Sequence, residues 1–146
     1  MSTPPATEME PKKMARILIV DDSSVMHAYH RQVLSALPDC RLSFARHGKE
    51  ALAKLEVEGR PDVIVLDINM PVMDGLEFLA RLRALPLERV PVIIVSTEGR
   101  EDDLLRGLEA GADGYVRKPF KPKELQDLVR RLLASEDVTP RPVVTL

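Results

Sequence analysis

Ile17-Leu18-Ile19-Val20 runs directly into Asp21-Asp22, and Val63-Ile64-Val65-Leu66 runs into Asp67. A third apolar run, Val92-Ile93-Ile94-Val95, ends on Ser96-Thr97, and a later short one ends at Lys118-Pro119. Unbroken β-branched runs of this kind read as strands buried on both faces of a parallel sheet. The carboxyl ends of such strands line one crevice, where ligands bind in open α/β sheets. Asp21, Asp22, Asp67, Ser96 and Lys118 are therefore expected to converge. Carboxylates held so close repel one another, and a divalent cation is the usual remedy. The pattern points to metal-assisted phosphoryl chemistry.

Outward from these runs, apolar and helix-period segments alternate from Arg16 to Ala134. Strands are predicted near 16–20, 41–45, 62–66, 91–95 and 114–117, and helices near 24–37, 48–58, 75–85, 101–110 and 122–134. This (βα)5 order predicts an α/β, doubly wound, five-stranded parallel sheet of flavodoxin-like order 2-1-3-4-5. Asp74 before Gly75 suits a helix N-cap. Gly111 stands where a helix end wants a left-handed residue. Glu101, Asp102 and Asp103 suit the first turn of the fourth helix, and Pro122 that of the fifth. His47, a mediocre cap, opens the second.

Residues 14–134 form the predicted domain, preceded by an N-terminal extension, 1–13, expected to be disordered. The Pro-containing tail, 135–146, reads as a linker or disordered end. Its last residues, Val143-Val144-Thr145-Leu146, could add a short edge strand or dock on a partner, although a floppy terminus is the plainer reading.

The 146 residues suit one well-packed domain. With 45% apolar and 30% charged residues, the composition is neither disordered nor membranous. No apolar stretch approaches the ~20 residues of a bilayer span, and the N-terminus lacks a signal peptide's apolar core. One cysteine, Cys40, excludes an internal disulfide and suits the cytoplasm. A net charge of −2 with scattered basic pairs, three Phe, two Tyr and no Trp argues against nucleic-acid binding.

Asp67, at the end of a central strand, is the expected nucleophile, since an aspartyl carboxylate can accept a phosphoryl group covalently. Mg²⁺ would neutralise charge on the transferring group, with Asp22 and Asp67 suited to direct ligation and Asp21 to a role through water. Lys118 and Ser96 could meet the phosphoryl oxygens as a point charge and a hydroxyl donor. Taken singly, Asp-Asp is an ordinary turn, Ser-Thr a local cap, and Lys-Pro-Phe a loop. Their joint occurrence at successive strand ends outweighs those plainer accounts.

From about Arg16 to Ala134 the chain resembles the receiver domain of two-component response regulators, of the single-domain CheY-like kind. The matching segments are Ile19-Val20-Asp21-Asp22-Ser23, Leu66-Asp67-Ile68-Asn69-Met70-Pro71-Val72-Met73-Asp74-Gly75, Val95-Ser96-Thr97, and Gly111 to Phe120. The resemblance implies that Asp67 takes a phosphoryl group from the phosphohistidine of a sensor histidine kinase. It implies Mg²⁺ ligation by Asp22, Asp67 and the backbone carbonyl of Asn69, with Asp21 acting through water. Ser96 falls at the switch hydroxyl, Lys118 at the phosphate-facing lysine, and Lys118-Pro119 at a cis peptide. Tyr115 falls at the switch aromatic, which packs inward once the hydroxyl engages phosphate; a half-exposed strand tyrosine is the plainer alternative.

Phosphorylation would then shift the surface of the fourth helix, fifth strand and fifth helix (α4-β5-α5), the expected docking face for a downstream protein target. Asn69 and Glu98 resemble the polar pair that governs water access to the aspartyl phosphate, implying a transient phosphorylated state. His27 stands where Arg is frequent and is not expected to bind metal. The chain is expected to be a stand-alone, non-enzymatic signalling module with Mg²⁺-dependent autophosphorylation and autodephosphorylation only. A receiver fragment of a longer regulator and a phosphorelay intermediate remain open, as does a homodimer through the docking face. A phosphatase of the haloacid dehalogenase type would place an acid where Asn69 stands, and Asn cannot shuttle a proton. A phosphate-independent pseudo-receiver sits poorly with the intact acidic set.

Overall fold

The computed structural model describes residues 14–68, 70, 72–96, 101–134 and 143–145, the last three and 101–104 by backbone alone. The elements are β1 (Ala15–Val20), α1 (Ser24–Leu34), β2 (Cys40–Ala45), α2 (Gly48–Glu58), β3 (Val63–Asp67), α3 (Gly75–Ala84), β4 (Val92–Ser96), α4 (Glu101–Glu109), β5 (Gly114–Arg117), α5 (Pro122–Ala134) and β6 (Val143–Thr145). Five parallel strands take the order 2-1-3-4-5 anticipated above, and β6 extends the sheet beyond β5. The tail is thus a strand at 143–145, not a floppy end throughout. Nothing in a three-residue apolar run distinguishes a strand from a tail until β5 supplies the partner. The expectations for 1–13 and 135–142, and for the side chains of Glu101, Asp102 and Asp103, lie outside the described residues.

The unbroken apolar runs have a direct physical cause. Side chains alternate across a strand, so a strand covered on both faces must be apolar at every position. Ile17, Ile19, Val63, Val65, Ile93 and Val95 pack with Val33 and Leu34 of α1 and Leu125 and Val129 of α5. The intervening Leu18, Val20, Ile64, Leu66 and Ile94 pack on the opposite face with Leu55 of α2 and Phe78, Leu79 and Leu82 of α3. Tyr115 belongs to this second core and is buried, so the half-exposed alternative fails.

Local signals fix the ends. The Asp74 carboxylate accepts from the Glu77 amide at 2.8 Å, capping α3. His47 caps α2 through Nδ1, which accepts from the Glu50 amide at 3.2 Å. α1 stops at Leu34, three residues short of expectation, because Pro38 disfavours helix at Leu37 and Asp39 turns left-handed (φ 61°). Gly111 adopts φ +98° after α4, a conformation that costs glycine nothing.

Strand register then positions chemistry. Val20 pairs with Leu66, so Asp21 and Asp67 follow at neighbouring strand ends. Asp67 pairs with Val95, and Ser96 with Arg117, which brings Ser96 and Lys118 to the same end of the sheet.

Candidate functional site

Carboxylate oxygens of Asp21, Asp22 and Asp67 lie within 4.8 Å of one another, with Asp21 and Asp67 buried and Asp22 exposed. Lys118 Nζ stands 3.4 Å from Asp21 Oδ2 and 4.0 Å from Asp67 Oδ1, so these three carboxylates and one ammonium together carry a formal charge of −2. Excess charge of this kind in a partly buried pocket favours a bound cation, and an all-oxygen donor set suits a hard one such as Mg²⁺.

The scaffold around these groups is tight. Asp21 Oδ1 accepts from the Ser23 amide at 2.9 Å, and Ser23 Oγ accepts from Met26 N at 3.2 Å, so the β1–α1 turn fixes Asp21 and caps α1 together. The Lys118 amide donates to the Ser96 carbonyl at 2.6 Å, tying the β5 end to the β4 end. The Lys118–Pro119 bond is cis. Ser96 is fully buried. Gly75 abuts the backbone of Asp67: a Cβ there would stand 2.4 Å from the Asp67 carbonyl oxygen. The α3 N-terminus can therefore seat beside the β3 end only with glycine at that position. Val72, in the intervening loop, is 74% exposed and holds φ 67°, a left-handed conformation that strains a β-branched residue.

His27 packs against the β1 end and β2. Its Nε2 lies 2.5 Å from the Asp21 carbonyl oxygen and its ring 5.1 Å from that of Phe44. Asn69 and Glu98, and with them the expected carbonyl ligand and the polar pair, lie outside the described residues. Tyr115 is packed inward, its hydroxyl without a partner among the described residues. A groove of about 650 Å³ elsewhere, lined by Arg16, Arg41, Lys54 and Glu58 among others, contains none of the acidic set. The chemistry belongs to the strand ends, not to that groove.

Two features escaped the sequence reading. The Phe120 ring stacks on His30 (6.0 Å, 20°) and meets Tyr29 edge-on, while Tyr29 Oη donates to the Phe120 carbonyl at 3.3 Å. This clamp holds the segment that follows Lys118 against α1. Burial, the largest cause, lowers the His30 pKa from 6.5 to about 4, with Asp21 opposing and Lys118 and His27 assisting. The other feature is Asp113 at the opposite end of the sheet, buried and bonded by Arg83, Arg89 and the Val92 amide. Aromatic residues at 29 and 120 carry no local signal of contact, nor do arginines 30 and 24 positions from their carboxylate.

Comparison with known proteins completes the account. The family profile of the response regulator receiver domain matches residues 17–130. The chain belongs to the response regulator receiver family. It is 35% identical to chemotaxis protein CheY1 of Helicobacter pylori over 123 residues, covering 84% of this chain and 99% of that protein. It is 46% identical to the transcriptional regulatory protein PrrA of Mycobacterium tuberculosis over 118 residues, 81% of this chain but 49% of that longer protein. Among solved structures, a response regulator of Chloroflexus aurantiacus superposes with TM-score 0.78 at 31% identity, covering 84% of this chain and all of that one. The receiver is thus a two-component signalling domain of the CheY-like kind. No helix among its described residues is long and apolar enough to cross a membrane.

Proposed function

We propose that this receiver accepts a phosphoryl group on Asp67 from the phosphohistidine of a sensor histidine kinase in the cytoplasm, and relays the event to a protein target. The observation that carries the reading is the convergence of Asp21, Asp22 and Asp67 within 4.8 Å beside Lys118. An Asp67 carboxylate oxygen attacks phosphorus, an O–P bond forms, and the N–P bond to the donor imidazole breaks with its electron pair returning to nitrogen. Asp22, Asp67 and the Asn69 carbonyl would hold Mg²⁺, with Asp21 assisting through water. When bound, the ion supplies charge neutralisation for the transferring phosphoryl group. Lys118 would pair with an incoming phosphoryl oxygen, and Ser96 would donate its hydroxyl to another.

Ser96 and Tyr115 form the proposed switch. Tyr115 already occupies the core, so the described state resembles the one expected after the hydroxyl engages phosphate. Phosphorylation would hold this packing, and the α4–β5–α5 surface would present it to the target. Turnover is limited to autophosphorylation and autodephosphorylation with Mg²⁺.

The test is an amide NMR titration with Mg²⁺, then beryllofluoride, a stable mimic of the aspartyl phosphate, on the wild type and Asp67→Asn. Shifts at Asp22, Asp67 and Lys118 that reach Ser96 and Tyr115, and vanish in Asp67→Asn, are expected. Shifts that persist in Asp67→Asn would remove Asp67 as acceptor.

A further inference from the structure

In a sheet of order 2-1-3-4-5 the outer edge of β5 offers unpaired N–H and C=O groups, a template for any extended segment. Here that edge is covered from within the chain. Gly114 pairs with Val143, Tyr115 with Val144, and Val116 with Thr145, all parallel. The covering strand lies beyond residue 130, where the family match ends, so it falls outside the part of the chain that the receiver profile describes. It is also short. Pro142 precedes it and has no N–H to extend the ladder, and three residues contribute few hydrogen bonds. β-Branched Val143, Val144 and Thr145 favour the extended state, and the tether to α5 keeps them at high local concentration.

We propose that β6 is a displaceable cover in cis over the β5 edge, which is a docking strip for an extended segment of the target protein adding parallel to β5. The inference rests on the receiver reading only for the use to which the uncovered edge is put. β5 lies between α4 and α5 in the proposed signalling face, so a target segment reaching it must first displace residues 143–145. By linkage, any modification that loosens β6 raises the affinity of that segment, and a bound segment holds β6 off.

The experiment is amide hydrogen exchange by NMR on the 146-residue chain and on its Val144→Pro variant, which keeps the whole tail but puts a proline at the centre of β6. β5 amides that face β6 are expected to exchange at least ten-fold faster in Val144→Pro, with β1, β3 and β4 unchanged. A synthetic peptide of residues 139–146 should restore protection in Val144→Pro, and should require at least ten-fold more peptide on the wild type. Equal β5 exchange in the two chains overturns the cover. A peptide that fails to protect the variant overturns the docking strip. Protection that fades on dilution as a dimer dissociates assigns the strand to a second copy and overturns the cis contact. Asp67→Asn separates the two readings: unchanged beryllofluoride shifts in that variant, with β6-dependent protection intact, would remove the phospho-acceptor alone.

Discussion

The two ends of the sheet each bury carboxylate, and they treat it in opposite ways. At the amino end, Asp113 is 4% exposed and receives Arg83 at 3.0 Å, Arg89, and the Val92 amide at 2.8 Å. The same guanidinium groups also bond the Gly111 and Val90 carbonyls, so α3, the β4 entry and the β5 entry are fastened in one network. Burial, and then Arg89 nearby, pulls the Arg83 pKa down, while Asp113 opposes. At the carboxyl end, Asp21 is 1% exposed and shares Lys118 with Asp67, while the exposed Asp22 carboxylate lies within 4.8 Å of both. A carboxylate met by the chain's own arginines holds structure together, whereas three crowded carboxylates beside one lysine suit a cation. The amino end is fastened from within the chain, and the carboxyl end is the candidate ligand site.

The contrast is easiest to break at Asp113. Asp113→Ala leaves two partly buried guanidinium charges without their carboxylate and the Val92 amide without its acceptor, and denaturant unfolding should show a loss of about 3–5 kcal/mol. A loss under 1 kcal/mol would mean that the amino end is no clasp. Acid should act next, on the carboxyl end. His30 is held neutral in the folded chain with its pKa near 4, against 6.5 when unfolded. Its contribution is therefore complete above pH 6.5 and drains as pH falls through about 4, amounting to about 3 kcal/mol. A His30→Leu chain should show a flatter stability profile across that window, and an identical slope would remove His30 as the cause.

Mg²⁺ should stabilise the wild type by about 2.7 kcal/mol at one hundred times its dissociation constant, by mass action. Asp67→Asn should lose most of that gain while starting about 1 kcal/mol more stable without metal, because like charges are relieved. Thermal melts with and without Mg²⁺ decide it, and an undiminished gain in Asp67→Asn would place the cation elsewhere. The smallest expected effect is at Val72. Val72→Gly removes left-handed strain but adds unfolded-state entropy, a net stabilisation of about 0.5 kcal/mol in denaturant unfolding. A destabilised variant would show that the added unfolded-state entropy outweighs the strain at Val72.

Why the strand ends were legible and the clasp was not is a matter of range. A parallel strand covered on both faces writes itself as a continuous apolar run, so β1, β3 and β4 stand out, and the acidic residues at their ends come with them. Asp74 and Gly111 act on their immediate neighbours and are equally readable. Asp113 depends on arginines far along the chain, and His30 on a ring that the fold alone delivers. β6 is a short run that becomes a strand only because β5 has a free edge, and Tyr115 reads as core only once α3 covers that face. Asp21, Asp22, Asp67, Ser96 and Lys118 all reach the carboxyl end, as their strand-end positions imply.

The contact at Gly75 carries a consequence for how this site can be lost. A single added methyl group would have to occupy space 2.4 Å from the Asp67 carbonyl oxygen, so α3 or the β3 end must give way. Inactivation thus has a silent route: every carboxylate and the lysine remain in the sequence, yet the loop that presents them is pried open. A relative carrying a larger residue there should be judged a doubtful receiver however complete its acidic residues look. In a random mutagenesis screen scored by phosphate-mimic binding, position 75 should tolerate as little as position 67.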